Sequence, residues 1–323
     1  MLSSRFKPYH VALFLAKYAW LTARRRPVLV HFEVTLRCNA HCGFCDYWKT
    51  DASARDDELA SYADAARYFN PMLVTFTGGE PTLRRDLEAI VAEVHRAISL
   101  KYITLITHGA MLSPERAASL WNAGVNQFNI SLDYLDERHD QARGIPGLAA
   151  KILANIPAMQ ARGIDNIRFN TVMKSDNFDQ VLAIARTAES LGVGVNFSVY
   201  TDAKNGNRDH LVRREQMADA EALVRELLAI KRRRRGIITN SDYYLEQIPR
   251  YLRGEMREPC RSGIRTIHID PGGRVKRCPD FPTDFHWREF AQYKPIDCNA
   301  CYYACRGEAQ APLRLSRIRD VMA

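Results

Sequence analysis

The chain has 323 residues, of which 46% are hydrophobic and 26% charged, the balance of a soluble globular protein with room for one large domain and a smaller one. A net charge of +9 favours acidic partners (phosphorylated substrates, anionic lipid headgroups or nucleic acid) without choosing among them. The eight cysteines fall in two groups, which excludes a disulfide scaffold spread through the fold and points to two metal sites in a reducing, cytoplasmic compartment.

Residues 1–27 read as an N-terminal amphipathic helix, with Val11, Phe14, Leu15, Tyr18 and Leu21 at helical spacing and Pro27 near its end. The apolar stretch Tyr9–Ala23 is interrupted by Lys17, is too short to span a bilayer and has no cleavage site behind it. With Arg24–Arg26 following, the helix suits peripheral attachment at the inner membrane face. A cap packed against the body of the protein explains the same pattern.

Residues 28–230 alternate β-rich and helical runs. The strands are expected at Val28–Val34, Leu73–Thr77, Tyr102–Thr107, Gln127–Leu132, Asn166–Val172 and Gly194–Tyr200. Helices are expected at Arg85–Ala97, Pro114–Asn122, Gly147–Arg162 and Phe178–Leu191, with a basic one at Arg213–Arg235. Six βα units in order predict an α/β fold, a parallel sheet curled into a full or partial (β/α)6 barrel. In such folds chemistry sits where strands end. Residues 231–323 form a cysteine-rich extension with little long periodicity, which needs metal staples to hold its shape.

Directly after the first strand stand Cys38, Cys42 and Cys45, in the spacing C-x3-C-x2-C. Three thiolates on one loop suit a [4Fe–4S] cluster and leave one iron open for a small molecule. A structural zinc completed by His41 is the competing reading, although His41 sits inside the loop beside Cys42 and converges poorly. The second strand ends in Gly78-Gly79-Glu80-Pro81, where two glycines let backbone approach a ligand and a carboxylate suits an ammonium.

The cysteine loop, with Phe44 before its last cysteine, resembles the radical S-adenosylmethionine (radical SAM) superfamily, as do Gly78-Gly79-Glu80-Pro81 and the stretch Ser131-Leu132-Asp133, His139-Asp140 and Arg143-Gly144. The resemblance implies a SAM-binding [4Fe–4S] cluster on the three cysteines and SAM contacts from Phe44, Gly78, Gly79, Glu80, His108, Ser131, Asp133, Arg143 and Asn170. His108 stands where relatives usually carry asparagine. Cys260, Gly273-x4-Cys278 and Cys298-x2-Cys301-x3-Cys305 resemble the SPASM/twitch extension, which implies an auxiliary [4Fe–4S] cluster. Five cysteines exceed the four that one cluster needs, and Cys305 is weakly favoured as the spare; a structural zinc is the alternative.

The implied activity is reductive cleavage of SAM to a 5′-deoxyadenosyl radical and abstraction of a substrate hydrogen, with net oxidation, cross-linking or other C–H modification. Asp280, two residues after Cys278, is the candidate proton acceptor; a turn aspartate facing solvent is the plainer reading. The resemblance implies an electron donor such as flavodoxin or ferredoxin. The N-terminal helix tilts the substrate toward a lipid or other membrane-associated metabolite, with a ribosomally made peptide second. A non-catalytic electron carrier or sensor would need no SAM pocket, and no aromatic-interleaved basic motif points to nucleic acid.

Overall fold

The computed structural model describes residues 8–50, 61–294 and 297–312. The chain opens with α1 (Pro8–Ala23), β1 (Leu29–Thr35), α2 (Tyr62–Phe69), β2 (Leu73–Gly78), α3 (Leu87–Ala97), β3 (Tyr102–Thr107), α4 (Pro114–Ala123) and β4 (Gln127–Ser131). It continues with α5 (Glu137–Arg143), α6 (Leu148–Gln160), β5 (Ile167–Met173), α7 (Phe178–Leu191) and β6 (Gly194–Val199). Beyond these lie α8 (Met217–Arg233), α9 (Asp242–Leu252), β7 (Thr266–Ile269), β8 (Val275–Lys276) and α10 (Ala304–Gln310).

One sheet holds the strands in the order β6-β5-β4-β3-β2-β1-β7-β8. Neighbours from β6 through β7 are parallel, and β7–β8 is an antiparallel hairpin. Among the described residues β6 and β8 do not pair, so the sheet is a partial barrel. Strand residues alternate in character, as the two-residue period requires. Val30, Phe32, Phe76, Leu105, Phe128, Phe169 and Phe197 are buried in one apolar cluster with the helices. The opposite row carries Asn129, Ser131, Asn170, Asn196 and Ser198, all partly exposed. The core therefore lies between sheet and helices, and the concave face is polar.

The six expected strands form, each within a residue or two of its expected ends. Four of the described helices were not expected: α2, α5, α9 and α10, each of 7 to 11 residues. Across the expected boundary at residue 230, β7 from the extension pairs with β1 and continues the parallel sheet. Residues 1–7 and 313–323 of the expected segments lie outside the described residues. The basic run at the end of α8 is partly internal: Lys231 is buried and donates to the Asn240 carbonyl, and Arg233 and Arg234 approach Glu189.

The inner side of α1 behaves as a cap. The Lys17 ammonium donates to Asn70 Oδ1 (2.9 Å) and to the Leu100 carbonyl (2.6 Å), just ahead of β2 and β3. Arg265, just ahead of β7, lies over the Tyr18 ring. The helix thus closes the N-terminal end of the barrel.

Candidate active site

The loop after β1 brings Cys38, Cys42 and Cys45 to the C-terminal end of the sheet. It is held from several sides. The Trp48 indole donates to the carbonyls of Cys42 and Cys45 (3.0 Å each), and the His41 amide donates to the Arg143 carbonyl. Asn205 and Asn207, on the loop after β6, both donate to the Gly43 carbonyl. Burial raises all three thiol pKa values, that of Cys38 to about 11, with repulsion from Cys42 and Cys45 adding at Cys38 and from Cys45 at Cys42. Metal binding must therefore displace the thiol protons. His41 packs edge-on against Trp48 at 5.3 Å. Among the described residues no three His, Cys, Asp or Glu side chains are drawn together as ligands of a single ion.

Gly78 and Gly79 serve the loop itself, a role beside the expected one of opening room for a ligand. A Cβ on Gly78 would lie 2.1 Å from the Thr35 carbonyl oxygen, and one on Gly79 2.0 Å from that of Arg37. The amides of Gly79 and Glu80 donate to those same two oxygens at 2.8 Å. Side-chain-free backbone is what lets β2 grip the start of the cysteine loop.

Glu80 is buried, and its carboxylate is already well occupied. Oε1 accepts from the Thr82 amide and hydroxyl and from the Thr107 hydroxyl (2.6 Å); Oε2 accepts from the His108 amide (2.8 Å). His108 Nδ1 accepts from the Ala110 amide, so its proton sits on Nε2, which donates to Asn39 Oδ1 at 2.9 Å. His108 Nε2 also lies 3.3 Å from Glu80 Oε2. His108 therefore joins β3 to both the cysteine loop and Glu80.

Asp133 and Arg143 form a buried ion pair at 2.7 Å, and Arg143 Nη1 reaches Cys42 Sγ at 3.8 Å. Burial opposes ionisation of Asp133, but Arg143 and Lys174 outweigh it and lower its pKa. Ser131 and Asn170 are register partners on β4 and β5, and Asn170 Oδ1 accepts from Asn196. Sequence reading missed Lys174, just past β5. Its ammonium is fully buried without a hydrogen-bond partner, 5.1 Å from the Phe44 ring centre and 4.4 Å from that of Tyr134. A lysine after a strand gives no sign of burial until that strand is placed beside the loop.

In the extension, burial and neighbouring thiols raise the pKa values of Cys278, Cys301 and Cys305, with Cys278 and Cys305 reaching about 12, and burial and Cys298 raise that of Cys260. Cys305, at the start of α10, faces both Cys260 and Cys278, whereas Cys298 acts on Cys260 alone. Each of the five thiols is therefore near at least one other.

The two cysteine regions are tied by charge. Lys204 lies 3.2 Å from Asp46 and donates to the Pro279 carbonyl at 3.1 Å, linking the residues that follow Cys45 and Cys278. Glu33 on β1 meets Lys276 at 2.7 Å and His268 at 3.3 Å, with Tyr47 nearby. Burial opposes its ionisation, yet bonding and charge from His268 and Lys276 hold its pKa near 2. His31 stacks on His268 at 4.2 Å. Asp280 is half-buried between Lys204 and Tyr303, not on an open turn.

The radical SAM superfamily model matches residues 32–188, from β1 to α7, the stretch that holds the cysteine loop, Gly78–Glu80, Asp133 and Arg143. The chain carries a radical SAM domain. It is similar to GTP 3′,8-cyclases of Ectopseudomonas mendocina (32% identical over 179 residues, 54% of each chain) and Geobacter sulfurreducens (32% over 192 residues, 57% of this chain and 58% of that). The chain spans about half the length of these curated relatives. In fold it is similar to Streptococcus suis SuiB (TM-score 0.65, 16% identical, 88% of this chain and 70% of that). It is likewise similar to anSMEcpe, solved with bound AdoMet (TM-score 0.62, 19% identical, 81% and 78%).

A radical SAM domain binds SAM and a [4Fe–4S] cluster, and the residues present fit both. Three cysteines leave one iron open. The unpartnered Lys174 ammonium, beside Phe44 and near Arg143, suits the carboxylate of SAM.

Proposed function

We propose that the protein is a radical SAM enzyme that abstracts a hydrogen atom from a polar substrate held against the concave face of the sheet. The observation that carries this reading is the hydrogen-bonded junction of three elements at one barrel end: the cysteine loop, the Gly78–Glu80 segment and the Asp133–Arg143 pair. When bound, the [4Fe–4S] cluster supplies the electron that splits SAM into methionine and a 5′-deoxyadenosyl radical.

The protein's own residues bind and orient. Arg143 and Lys174 supply cations for the methionyl carboxylate of SAM. Glu80 fixes the ends of β2 and β3 and offers its remaining acceptor capacity to the ammonium. Phe44 closes over the two cations. Ser131 and Asn170 face the space in which ribose and substrate meet. Cys260, Cys278, Cys301 and Cys305 are the proposed ligands of an auxiliary [4Fe–4S] cluster, which would supply an acceptor for the electron left on the substrate. Asp280, between the two cysteine regions, is the proposed acceptor of the substrate proton.

The polar row of Asn129, Ser131, Asn170, Asn196 and Ser198 favours a hydrophilic metabolite over an acyl chain. The cyclase relatives make GTP the first compound to try, and flavodoxin or ferredoxin the first reductants. Anaerobically reconstituted protein with SAM and dithionite should release 5′-deoxyadenosine without added substrate. Cys42→Ala should abolish release, because two thiolates cannot hold the open-iron cluster; undiminished release from that variant would sink the assignment.

A further inference from the structure

Helix α1 has two faces of opposite character. Toward the barrel it sends Leu21, Tyr18 and Lys17, the one lysine or arginine within the helix, whose ammonium is bonded to Asn70 and Leu100. Away from the barrel it exposes Tyr9 (59%), Leu13 (48%), Leu15 (39%) and Trp20 (42%). Alanines 12, 16, 19 and 23 fill the rest of that face, and no carboxylate occurs anywhere from Tyr9 to Ala23. Large apolar side chains are rarely left together on the surface without an occupant.

Positive charge borders this face at one end. Arg24 and Arg25 are exposed; Arg24 lies 5.7 Å over the exposed Trp20 ring, and Arg25 turns the chain in a left-handed conformation (φ 50°). Arg26 stacks on Tyr68 beside a cleft of about 220 Å³ that also includes Gln292.

We propose that the outward face of α1 docks on an anionic lipid bilayer. An apolar face alone would suit any apolar partner. A tryptophan stacked under arginine, at the edge of a carboxylate-free apolar face, matches the boundary between acyl chains and anionic headgroups. Among the described residues no helix is long and apolar enough to cross a membrane, so α1 lies in the plane of the interface.

The placement of α1 gives the attachment a direction. It packs under the N-terminal ends of β2, β3 and β7, whereas the cysteine loop leaves the C-terminal end of β1. The bilayer therefore meets the end of the barrel opposite the SAM site. Docking localises the enzyme without feeding acyl chains into the site, in keeping with the polar concave face.

The test uses the full chain with phosphatidylcholine vesicles, with and without phosphatidylglycerol. Co-sedimentation is expected only with the anionic vesicles and should weaken as salt rises. Arg24→Gln with Arg25→Gln should lower the partition coefficient about 30-fold, roughly fivefold per arginine. Leu13→Glu and Trp20→Glu alter exposed positions and should abolish binding while leaving the thermal unfolding midpoint unchanged. Trp20→Phe should still bind but lose the blue shift of tryptophan emission on vesicle addition. Retained binding in Leu13→Glu, equal binding to neutral vesicles, or no binding to either would overturn the proposal. A dimer dissolved by Leu13→Glu, seen by light scattering without vesicles, would overturn it too and assign the face to a second copy of the chain.

Discussion

Replacing Gly79 with alanine tests whether β2 grips the cysteine loop through bare backbone. The added Cβ would lie 2.0 Å from the Arg37 carbonyl oxygen, 2.5 Å from its carbon and 2.9 Å from the Leu36 oxygen. All three are backbone atoms immediately before Cys38, so no side-chain rotation relieves the clash. The loop must move, and with it go the hydrogen bonds from Gly79 to Thr35 and from Glu80 to Arg37. Each bond is worth about 1 kcal/mol net, and overpacking costs about 1–3 kcal/mol. The expected loss is about 3–5 kcal/mol, with Cys38 displaced from its two partners. Urea unfolding of the apoprotein reads the stability, and iron content after reconstitution reads the site. Gly147→Ala is the control: position 147 has a positive φ of 73° but nothing within 4 Å of an added Cβ. It should lose only about 1 kcal/mol, the cost of a left-handed alanine, and keep full iron. If Gly79→Ala matched that control in both measurements, the loop-gripping role would be wrong.

In a background lacking Cys38, Cys42 and Cys45, Cys298→Ala should keep the iron of the second site and Cys305→Ala should lose it; the opposite result would restore Cys305 as the spare, and zinc in place of iron and sulfide would remove the auxiliary cluster altogether. Stability should fall as pH drops below about 6.5, because burial lowers the pKa of His31 and that of His139 (to about 3), whereas both take up protons once unfolded. Each contributes up to ~1.4 kcal/mol per pH unit, so the urea midpoint should decline between about pH 7 and pH 5, and His139→Gln should flatten that slope by about one proton; an unchanged slope would place the titration elsewhere.

What was legible in the sequence was local or periodic. Alternating strand and helix patterns located all six core strands, and the C-x3-C-x2-C spacing put three thiolates on one loop without reference to anything else in the chain. Position after a strand then located Glu80 and Asp133 at the same barrel end, since parallel strands must all finish there, whereas Arg143 came from the family resemblance.

Tertiary structure decided whatever depends on partners distant in sequence. Glu33 is an ordinary strand residue until β7 pairs with β1 and brings His268 and Lys276 against it. Lys174 and Lys17 look like surface lysines until burial takes one against Phe44 of the cysteine loop and turns the other inward, leaving α1 with an apolar outer face. The glycines announce a close approach but not to what, and only the fold shows that it is to the cysteine loop. Spacing counts five C-terminal cysteines without ranking them, whereas packing sets Cys305 among Cys260, Cys278 and Cys301. A side chain's chemistry is written in its own residue, but its solvation and charge partners are set by the chain that packs around it.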